Sequence, residues 1–293
     1  MLKTKEVGVR DPFVFLDDDG TYYMYGTRPK TVWGHGDGFD VYRSLDLENW
    51  EGPQEVFHKS SGFWADREYW APEVSKYRGS YYLLATFGSD ATEPVKGIQF
   101  LKSDTPVGPF SPLTSDPLTP RGWDCLDGTL YVDDANQPWL ICSHSVPQET
   151  RGEMCACRLS SDLKHLEGSM YPLFYAKDVT WTQNLPFAQA EFGVPEGYFS
   201  DGPYLFKNTA QQLCMLWSSW YHGDYAMTVS VSPSGKITGP WHHQVRPIVE
   251  HGGHGMVFRT KSNRLVLTYH SPNDTPNERA VFQPLSRLMS KGE

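Results

Sequence analysis

The most constraining feature of this chain is a short pattern that occurs five times. In each occurrence an acidic residue or a histidine stands beside Gly or Pro near the start of an apolar run, and a polar turn separates that run from a second one. The leading residues are Asp11, Glu73, Asp127, Asp201 and His254, and successive ones are 53 to 74 residues apart. A period of roughly 60 residues suits a repeated unit of four short strands.

A second, weaker repeat follows these paired runs. The stretch 44–50 is echoed by 161–166, and the stretch 103–110 is echoed by 232–241, so each unit ends in a further strand with a turn beside an aromatic residue. Radial repetition of four-stranded units forms a β-propeller. The sequence therefore predicts an all-β fold, a five-bladed β-propeller that makes one domain of residues 1–293.

The composition disfavours some classes of binding partner for this protein. A net charge of −9 disfavours nucleic acid, which needs a basic face. No apolar run approaches the roughly 20 residues of a membrane span, and residues 1–6 precede no apolar segment of the kind found in a signal peptide. Five cysteines without a CxxC pair indicate free, mostly buried thiols. We therefore expect a cytoplasmic protein without nucleic-acid or membrane partners, and the oligomeric state stays open.

The five leading residues are candidates for chemistry because of where a propeller would place them. The innermost strand of each blade runs along the central channel, so residues at the same end of these strands meet at one mouth. Carboxylates crowded there repel one another and are partly desolvated, which moves their pKa values apart and supplies both an acid and a base. Hydrolysis of a glycosidic bond requires such a pair.

Each candidate also has an ordinary structural interpretation. Asp-Gly and Asp-Pro pairs commonly form turns, and the stretch Asp17–Gly20 illustrates a turn without expected chemistry. Asp11, Asp127 and Asp201 differ because they stand before the apolar run and not after it. His254 lies between glycines, so it is either satisfied by backbone partners or in contact with a ligand.

The residues around the five positions form motifs that resemble a known family. The motifs are Arg10-Asp11-Pro12, Trp70-Ala71-Pro72-Glu73-Val74, Leu126-Asp127-Gly128-Thr129, Asp201-Gly202-Pro203 and Gly252-Gly253-His254-Gly255-Met256. In this order they resemble glycoside hydrolase family 43, whose members are five-bladed β-propellers that act on arabinofuranosides and β-xylosides. The resemblance runs from about residue 9 to residue 273.

This resemblance implies an inverting mechanism and assigns roles. Asp11 matches the general base that activates water, and Asp127 matches the residue that orients the acid and raises its pKa. The family's general acid is a Glu in a Glu-Gly-Pro motif, and Asp201 stands at that position here.

The replacement of that Glu leaves three alternatives for the acid. Asp201 serves in a narrower site, although its shorter side chain withdraws the proton donor by roughly 1.5 Å. Alternatively Glu196, in the loop just upstream, supplies the proton, or catalysis is lost. We favour Asp201, because its place in the repeat is firmer evidence than residue type.

The resemblance also bears on ligands. His254 matches a family histidine that often contacts calcium or another cation held mainly by water, so a structural cation in the channel is predicted and no cofactor is required. Aromatic faces can stack on a sugar, although each such ring is equally suited to packing. Substrate contacts are predicted for Trp33, Trp70, Glu73, Phe87, His254 and Arg259.

Three functions are consistent with these features. The leading one is an exo-acting glycosidase that removes arabinofuranose or xylose from an oligosaccharide. The second is a propeller that binds sugar without catalysis, which the missing Glu favours and the pair Asp11 and Asp127 disfavours, because two unpaired buried carboxylates are costly. The third is an inverting glycoside phosphorylase, which needs a cationic phosphate pocket.

Overall fold

The computed structural model describes residues 1–91 and 96–285, which form five antiparallel sheets. The predicted domain of residues 1–293 also includes 92–95 and 286–293, which lie outside the described residues. Apart from the first strand of the chain and the last short strand of the fourth sheet, the strands of each sheet follow one another from the channel outwards in chain order, so each sheet is a meander of hairpins. The polar turns of the repeat are the hairpin loops.

The first three sheets contain the strands up to residue 175. Blade 1 comprises β1 (Leu2–Lys3), β2 (Arg10–Leu16), β3 (Tyr22–Thr27), β4 (Gly38–Ser44) and β5 (Asn49–His58), with β1 outside β5. Blade 2 comprises β6 (Arg67–Tyr77), β7 (Ser80–Gly88), β8 (Lys96–Ser103) and β9 (Ser111–Pro112). Blade 3 comprises β10 (Cys125–Val132), β11 (Pro138–His144), β12 (Glu153–Leu159) and β13 (Leu166–Tyr175).

The last two sheets follow a connection that carries α1 (Ala188–Phe192). Blade 4 comprises β14 (Asp201–Lys207), β15 (Leu213–Tyr221), β16 (Asp224–Ser232), β17 (His242–His243) and β18 (Val249–Glu250), the last two both paired with β16. Blade 5 comprises β19 (Gly253–Arg259), β20 (Leu265–Ser271) and β21 (Arg279–Pro284). Single 3₁₀ turns span Thr4–Glu6 and Ala176–Asp178. No helix in the described ranges has the length and apolar character needed to cross a membrane.

The inner strands close a ring. β2 contacts β6, and the contacts continue through β10, β14 and β19 back to β2. The prediction of an all-β, five-bladed β-propeller is therefore confirmed. At the seam between blades 5 and 1, the Val9 N–H donates to the Glu278 carbonyl oxygen at 3.2 Å, and Gly8 bridges to Arg279.

The hydrophobic core is divided into five clusters, one between each pair of adjacent blades. Strand faces rich in aromatic and β-branched residues pack well on a neighbouring sheet, which is why these sequences form blades. Trp50 and Trp217 are fully buried in these clusters, and Trp241 is nearly so, as expected of packing residues. All five cysteines are buried and free.

Phe87 belongs to the cluster between blades 1 and 2 and has no exposed surface. Its ring meets the rings of Tyr69 and Phe63 edge-on, with centroids 5.0 Å apart in both pairs. This placement corrects the prediction that Phe87 contacts substrate: the loop before β6 covers the ring, so it stabilises the interface between two blades.

We expect Phe87→Ala to lower the free energy of unfolding by about 3–5 kcal/mol, because it removes a fully buried ring and leaves a cavity. The measurement is urea unfolding. Trp33→Ala is the control, since the Trp33 side chain is 65% exposed, and should change stability by less than about 0.5 kcal/mol. A loss below about 1 kcal/mol for Phe87→Ala would contradict the packing role.

Candidate active site

Every inner strand has a bulge near its start, where the pairing register with the second strand shifts. One residue in each bulge has a positive φ: Asp11 (54°), Ala71 (48°), Asp127 (56°), Gly202 (58°) and His254 (48°). Residues other than glycine rarely adopt this conformation, and such strain concentrates at functional sites. Bulges also turn side chains away from the regular alternation of a strand.

The bulges correct the sequence alignment of the blades. The position in blade 2 equivalent to Asp11 is Ala71 and not Glu73, and the position in blade 4 is Gly202 and not Asp201. Glu73 therefore lies two residues deeper along its strand, and Asp201 lies one residue before its bulge.

Hydrogen bonds between adjacent blades hold the bulges. In four blades the bulge residue donates its backbone N–H to a side chain on the second strand of the preceding blade. The four bonds are Asp11 N–H to His270 Nδ1 (3.3 Å), Ala71 to Thr27 Oγ1 (2.8 Å), Asp127 to Thr86 Oγ1 (2.8 Å) and His254 to Ser218 Oγ (2.9 Å). These bonds satisfy buried donors and fix each bulge relative to its neighbour.

Blade 4 departs from this pattern. The Gly202 N–H donates to the carboxylate Oδ2 of Asp127 at 3.0 Å, and the corresponding hydroxyl, that of Ser143, pairs instead with the Ser200 hydroxyl at 2.9 Å. Asp127 is thus bonded directly to the residue that follows Asp201. A shift of the Asp127 carboxylate would move the backbone that carries the Asp201 carboxyl group.

A cavity of about 670 Å³ lies over the bulges and is lined by residues from all five blades. It brings together Asp11, Asp127, Asp201 and His254. His254 Nδ1 lies 3.4 Å from Asp11 Oδ1 and 3.6 Å from Asp127 Oδ2, so these two carboxylate oxygens are at most 7.0 Å apart. Residues distant in sequence therefore form one acidic site around a central histidine.

Asp11 is surrounded by polar and cationic side chains. Its Oδ2 accepts a hydrogen bond from Thr27 Oγ1 at 2.7 Å, and its Oδ1 lies 3.4 Å from His270 Nδ1 and 3.7 Å from Arg10 Nε. Burial alone would raise the pKa of Asp11, but His254, His270 and Arg10 together hold it well below its usual range. Asp11 is therefore an ionised carboxylate near neutral pH.

Asp201 is in the opposite electrostatic state. Burial and the nearby charge of Asp127 raise the pKa of Asp201 well above its usual range. Its Oδ2 accepts a hydrogen bond from the Tyr225 hydroxyl at 3.3 Å, and its buried Oδ1 has no partner among the described residues. A protonated carboxyl group with one unengaged oxygen can donate a proton to a ligand in the cavity.

Glu196 lies outside this cavity. Its Oε2 forms a 2.7 Å salt bridge with Lys177 Nζ, and its Oε1 accepts a hydrogen bond from the Tyr198 hydroxyl at 3.0 Å. The hydrogen bond with Lys177 lowers the pKa of Glu196, which disfavours a proton donor. The structure therefore does not bring the alternative acid to the site.

Two predicted substrate contacts are also placed elsewhere. Arg259 is the last residue of β19 and lies five residues beyond His254. Since a strand advances about 3.3 Å per residue, Arg259 lies at the opposite mouth of the channel, where it lines a separate cavity. Glu73 lies below the bulges, where its Oε2 accepts a hydrogen bond from Thr129 Oγ1 at 2.7 Å. Burial raises the pKa of Glu73 well above its usual range, so it is a neutral group inside the channel.

The two predicted tryptophans do line the cavity. Trp33 and Trp70 meet edge to face with centroids 5.8 Å apart. The Trp70 indole Nε1–H donates to the Val32 carbonyl oxygen at 2.6 Å, which fixes the ring against the loop of blade 1. Trp33 remains 65% exposed and presents its ring to the cavity.

Several site residues were not predicted, and a sequence signal exists for some of them. A polar residue follows each bulge residue by 15 or 16 positions: Thr27, Thr86, Ser143, Ser218 and His270. This recurrence would have identified the partners of the bulges. No comparable repeat marks Arg10, Glu68 or Tyr225, which line the cavity through loop and strand geometry.

The predicted cation finds little support in the donor set. Within residues 1–91 and 96–285, no group of three or more His, Cys, Asp or Glu side chains could hold a metal ion. Calcium prefers six to eight oxygen ligands, whereas His254 offers nitrogen and directs Nδ1 to Asp11 and Asp127. The cation stays a prediction, and no chemical step below depends on it.

Comparison with known proteins finds a family model and solved structures to which this chain is similar. The model of the glycosyl hydrolases family 43 matches residues 5–287. The structure is similar to that of an endo-arabinase from Bacteroides thetaiotaomicron, with 36% identity, a TM-score of 0.88, and coverage of 97% of this chain and 96% of that one. It is similar in fold alone to an exo-1,5-alpha-L-arabinanase from a bovine ruminal metagenomic library, with 16% identity, a TM-score of 0.69, and coverage of 97% and 94%.

A sequence match adds a relative of different specificity. A stretch of 114 residues is 29% identical to Xylosidase/arabinosidase 43A of Humicola insolens. The match covers 36% of this chain and spans 33% of the length of that enzyme.

The hydrogen bond from the Asp127 backbone N–H to Thr86 Oγ1 predicts that Thr86 holds Asp127 in position for catalysis. Thr86→Val keeps the shape but leaves a buried N–H without an acceptor, so we expect a loss of about 1–3 kcal/mol in unfolding free energy and a lower turnover number. Thr86→Ser retains the acceptor and should retain turnover. Equal turnover by the Val and Ser variants would show that the bond does not position Asp127.

The raised pKa of Glu73 predicts how stability depends on pH. The unfolded chain ionises this group near its usual pKa of about 4.3, whereas the native state keeps it protonated, so native stability falls as pH rises above that value. Glu73→Gln should remove a slope of about 1.4 kcal/mol per pH unit from urea unfolding curves up to the native pKa. Exposed Glu48→Gln is the control; identical slopes in both variants would refute a neutral Glu73.

Proposed function

The chain belongs to glycosyl hydrolase family 43, and from that premise we propose that this glycoside hydrolase is an inverting, exo-acting enzyme. Its substrate would be an oligosaccharide of plant origin that ends in α-L-arabinofuranose or β-D-xylose. Water would attack the terminal sugar on one face while the remainder of the oligosaccharide departs from the other.

The observation that carries this proposal is the opposite electrostatic state of two carboxyl groups in one cavity. The pKa of Asp11 is held low by His254, His270 and Arg10, whereas burial and Asp127 raise the pKa of Asp201. Asp11 is suited to accept a proton from water, and Asp201 is suited to give one to the glycosidic oxygen. Inverting hydrolysis needs both states at the same pH.

Asp127 supports this pair without reacting. Its charge raises the pKa of Asp201, and its Oδ2 holds the Gly202 N–H at 3.0 Å. Thr27 has a similar role toward the base, because its hydroxyl donates to Asp11 Oδ2 and accepts from the Ala71 N–H. Both interactions keep the reacting groups in fixed positions before substrate arrives.

The placement of Asp201 supports it as the acid despite its short side chain. The Tyr225 hydroxyl contacts one carboxyl oxygen and leaves the other without a partner in the described chain. Glu196 is engaged by Lys177 and Tyr198 away from the cavity. The role of general acid therefore stays with Asp201 and does not pass to Glu196 in the neighbouring loop. Because the Asp201 side chain is one methylene shorter than that of Glu, the substrate must sit closer to the strand.

The size and position of the site suit a short substrate. The cavity is centred on the channel mouth and receives side chains from every blade, and its 670 Å³ lies within the range of small-ligand sites. The names of similar proteins include an endo-arabinase, an exo-arabinanase and a xylosidase/arabinosidase. Arabinose and xylose are therefore the first sugars to test.

Phosphorolysis is less well supported than hydrolysis. Arg10, Arg67 and Lys96 all line the cavity, but each already faces a carboxylate. The partners are Glu278 at 3.1 Å from Arg10, Asp90 at 2.6 Å from Arg67 and Glu68 at 3.9 Å from Lys96. A phosphate would have to compete with these groups, whereas water would not.

We expect Asp11→Asn to reduce turnover of aryl and natural substrates by about 10²–10⁴-fold, because it removes the base. Asp201→Asn should have a similar effect on sugar leaving groups but a much smaller effect on nitrophenyl glycosides, whose leaving groups need no proton. Glu196→Gln is the matched control and should stay within about twofold. Nuclear magnetic resonance of the first product should show an inverted anomeric configuration.

The turnover measurements use a panel of arabinofuranosides, xylosides and galactosides as substrates. Recovery of nitrophenyl turnover in Glu196→Gln and not in Asp201→Asn would move the acid role to Glu196. Absence of wild-type turnover on every panel member would favour a propeller that binds sugar without cleaving it.

The two shifted pKa values also predict the pH profile. Activity needs Asp11 ionised, so it should persist to a pH well below the usual carboxyl range and then fall as Asp11 is protonated. Activity also needs Asp201 protonated, so it should fall on the basic side at a pH well above that range. In Asp201→Asn with nitrophenyl substrates, the basic limb of kcat/KM should disappear; an unchanged limb would contradict the assignment.

A further inference from the structure

We propose that Lys96 donates hydrogen bonds to hydroxyl groups of the terminal sugar and thereby determines which sugar is accepted, and that Glu68 holds Lys96 in position. This inference rests on the proposed function, because it takes an oligosaccharide as the substrate and Asp201 as the acid. It goes further by naming the side chains that recognise the sugar attacked by water.

The innermost strand of blade 2 differs from the other four because it has two bulges. One lies between Trp70 and Glu73 and contains Ala71. The other lies between Arg67 and Trp70, and within it Glu68 has a φ of 54°. Bulges next to active sites redirect side chains, and residues other than glycine adopt a positive φ only at a cost. Here the additional bulge places Glu68 in the wall of the cavity.

Glu68 is held by its neighbours in the described chain. Its backbone N–H donates to the Gly34 carbonyl oxygen at 3.0 Å, which joins the loop of blade 1 to the start of β6. Its Oε1 lies 3.2 Å from an Arg67 guanidinium nitrogen. A Cβ at Gly88 would lie 2.7 Å from Glu68 Oε2, so glycine is required at this position on β7. The carboxyl group is therefore fixed before substrate arrives.

Lys96 lies at the start of β8 and pairs with Gly88 across from Arg67. Its side chain is only 12% exposed and lines the cavity, with Nζ 3.9 Å from Glu68 Oε2 and 5.3 Å from the centre of the Trp70 ring. At 3.9 Å the two charged groups attract each other, but the distance is too long for a direct hydrogen bond. The three donors of the ammonium group thus stay available to oxygen atoms of a ligand.

Blade 2 lies on the side of the cavity where the terminal sugar is expected. The departing oxygen faces the acid, Asp201, on blade 4, and blade 2 does not adjoin blade 4 in the ring. The base, Asp11, belongs to blade 1, whose inner strand contacts the inner strand of blade 2. The sugar attacked by water therefore extends from the two carboxyl groups toward Lys96, whereas the rest of the oligosaccharide departs past blade 4.

The surroundings of Lys96 favour neutral hydroxyl groups over an anion. A carboxylate or phosphate bound to Nζ would also face the Glu68 carboxyl group, which already balances the Lys96 charge. A hydroxyl group avoids this conflict, because it can accept a hydrogen bond from the ammonium group without adding charge. The Trp70 ring beside Nζ presents an apolar face together with the donors, a combination typical of small-ligand sites.

Deoxy glycosides test this inference. The substrates are the nitrophenyl glycoside of the sugar that the wild type hydrolyses best, here called the parent, and analogues that each lack one of its hydroxyl groups. We expect Lys96→Met to lower kcat/KM for the parent about 10–100-fold, because it removes a charged donor but keeps apolar volume. For the analogue that lacks the contacted hydroxyl group, wild type and Lys96→Met should have equal kcat/KM, since the contact is already absent.

Glu68→Gln should lower kcat/KM for the parent about fivefold and leave the same analogue unaffected, whereas a merely structural effect would reduce every analogue alike. Lys102→Met is the matched control, because Lys102 lies on the same strand, is exposed and sits 5.8 Å from the centre of the Tyr82 ring. It should leave every value within about twofold of the wild type.

Lys96→Arg guards against a folding defect, since it keeps a charged donor and should recover much of the activity that Lys96→Met loses. An equal loss on the parent and on every analogue would overturn the role of Lys96 alone, as would parent turnover by Lys96→Met that matches the wild type. Faster turnover of the corresponding uronoside than of the neutral sugar would also overturn it. Absence of wild-type turnover on every member of the panel would overturn the proposed glycosidase function, and this inference with it.

Discussion

The constraint on which the rest of this structure depends is the hydrogen bond from the bulge of one blade to the blade before it. A positive φ at Asp11, Asp127 and His254 is costly, and it persists because the neighbouring blade holds the backbone N–H. The same bonds satisfy donors that face a narrow channel. Strain in the inner strands is thus linked to the closure of the ring, and the reactive groups lie at the points of linkage.

The departure in blade 4 connects this scaffold to the chemistry. Where the other blades use a hydroxyl or His270, the Gly202 N–H uses the Asp127 carboxylate. One side chain therefore holds the bulge after Asp201 and also raises the pKa of Asp201 through its charge. Across the site, three cationic or polar neighbours lower the pKa of Asp11. Position and proton affinity are set by the same contacts.

Several residues have structural roles that their sequence context did not distinguish from chemical ones. Phe87 packs between blades 1 and 2, and Glu196 anchors its loop through Lys177. Glu73 resembles the other acidic residues of the repeat, yet the bulge of β6 places Ala71 at the equivalent position. For Glu73, a shift of two residues in register decides which side chain stands at the position equivalent to Asp11.

The sequence by itself determined the architecture, because five recurrences of paired apolar runs can bury their faces only by packing blade on blade. It also located Asp11, Asp127, Asp201 and His254, since their places in the repeat bring them to one mouth. Only the tertiary structure decided the register at the bulges, the surroundings that shift the pKa values of Asp11 and Asp201, and which aromatic rings line the cavity. These depend on contacts between blades and on burial, which no local pattern of residues encodes.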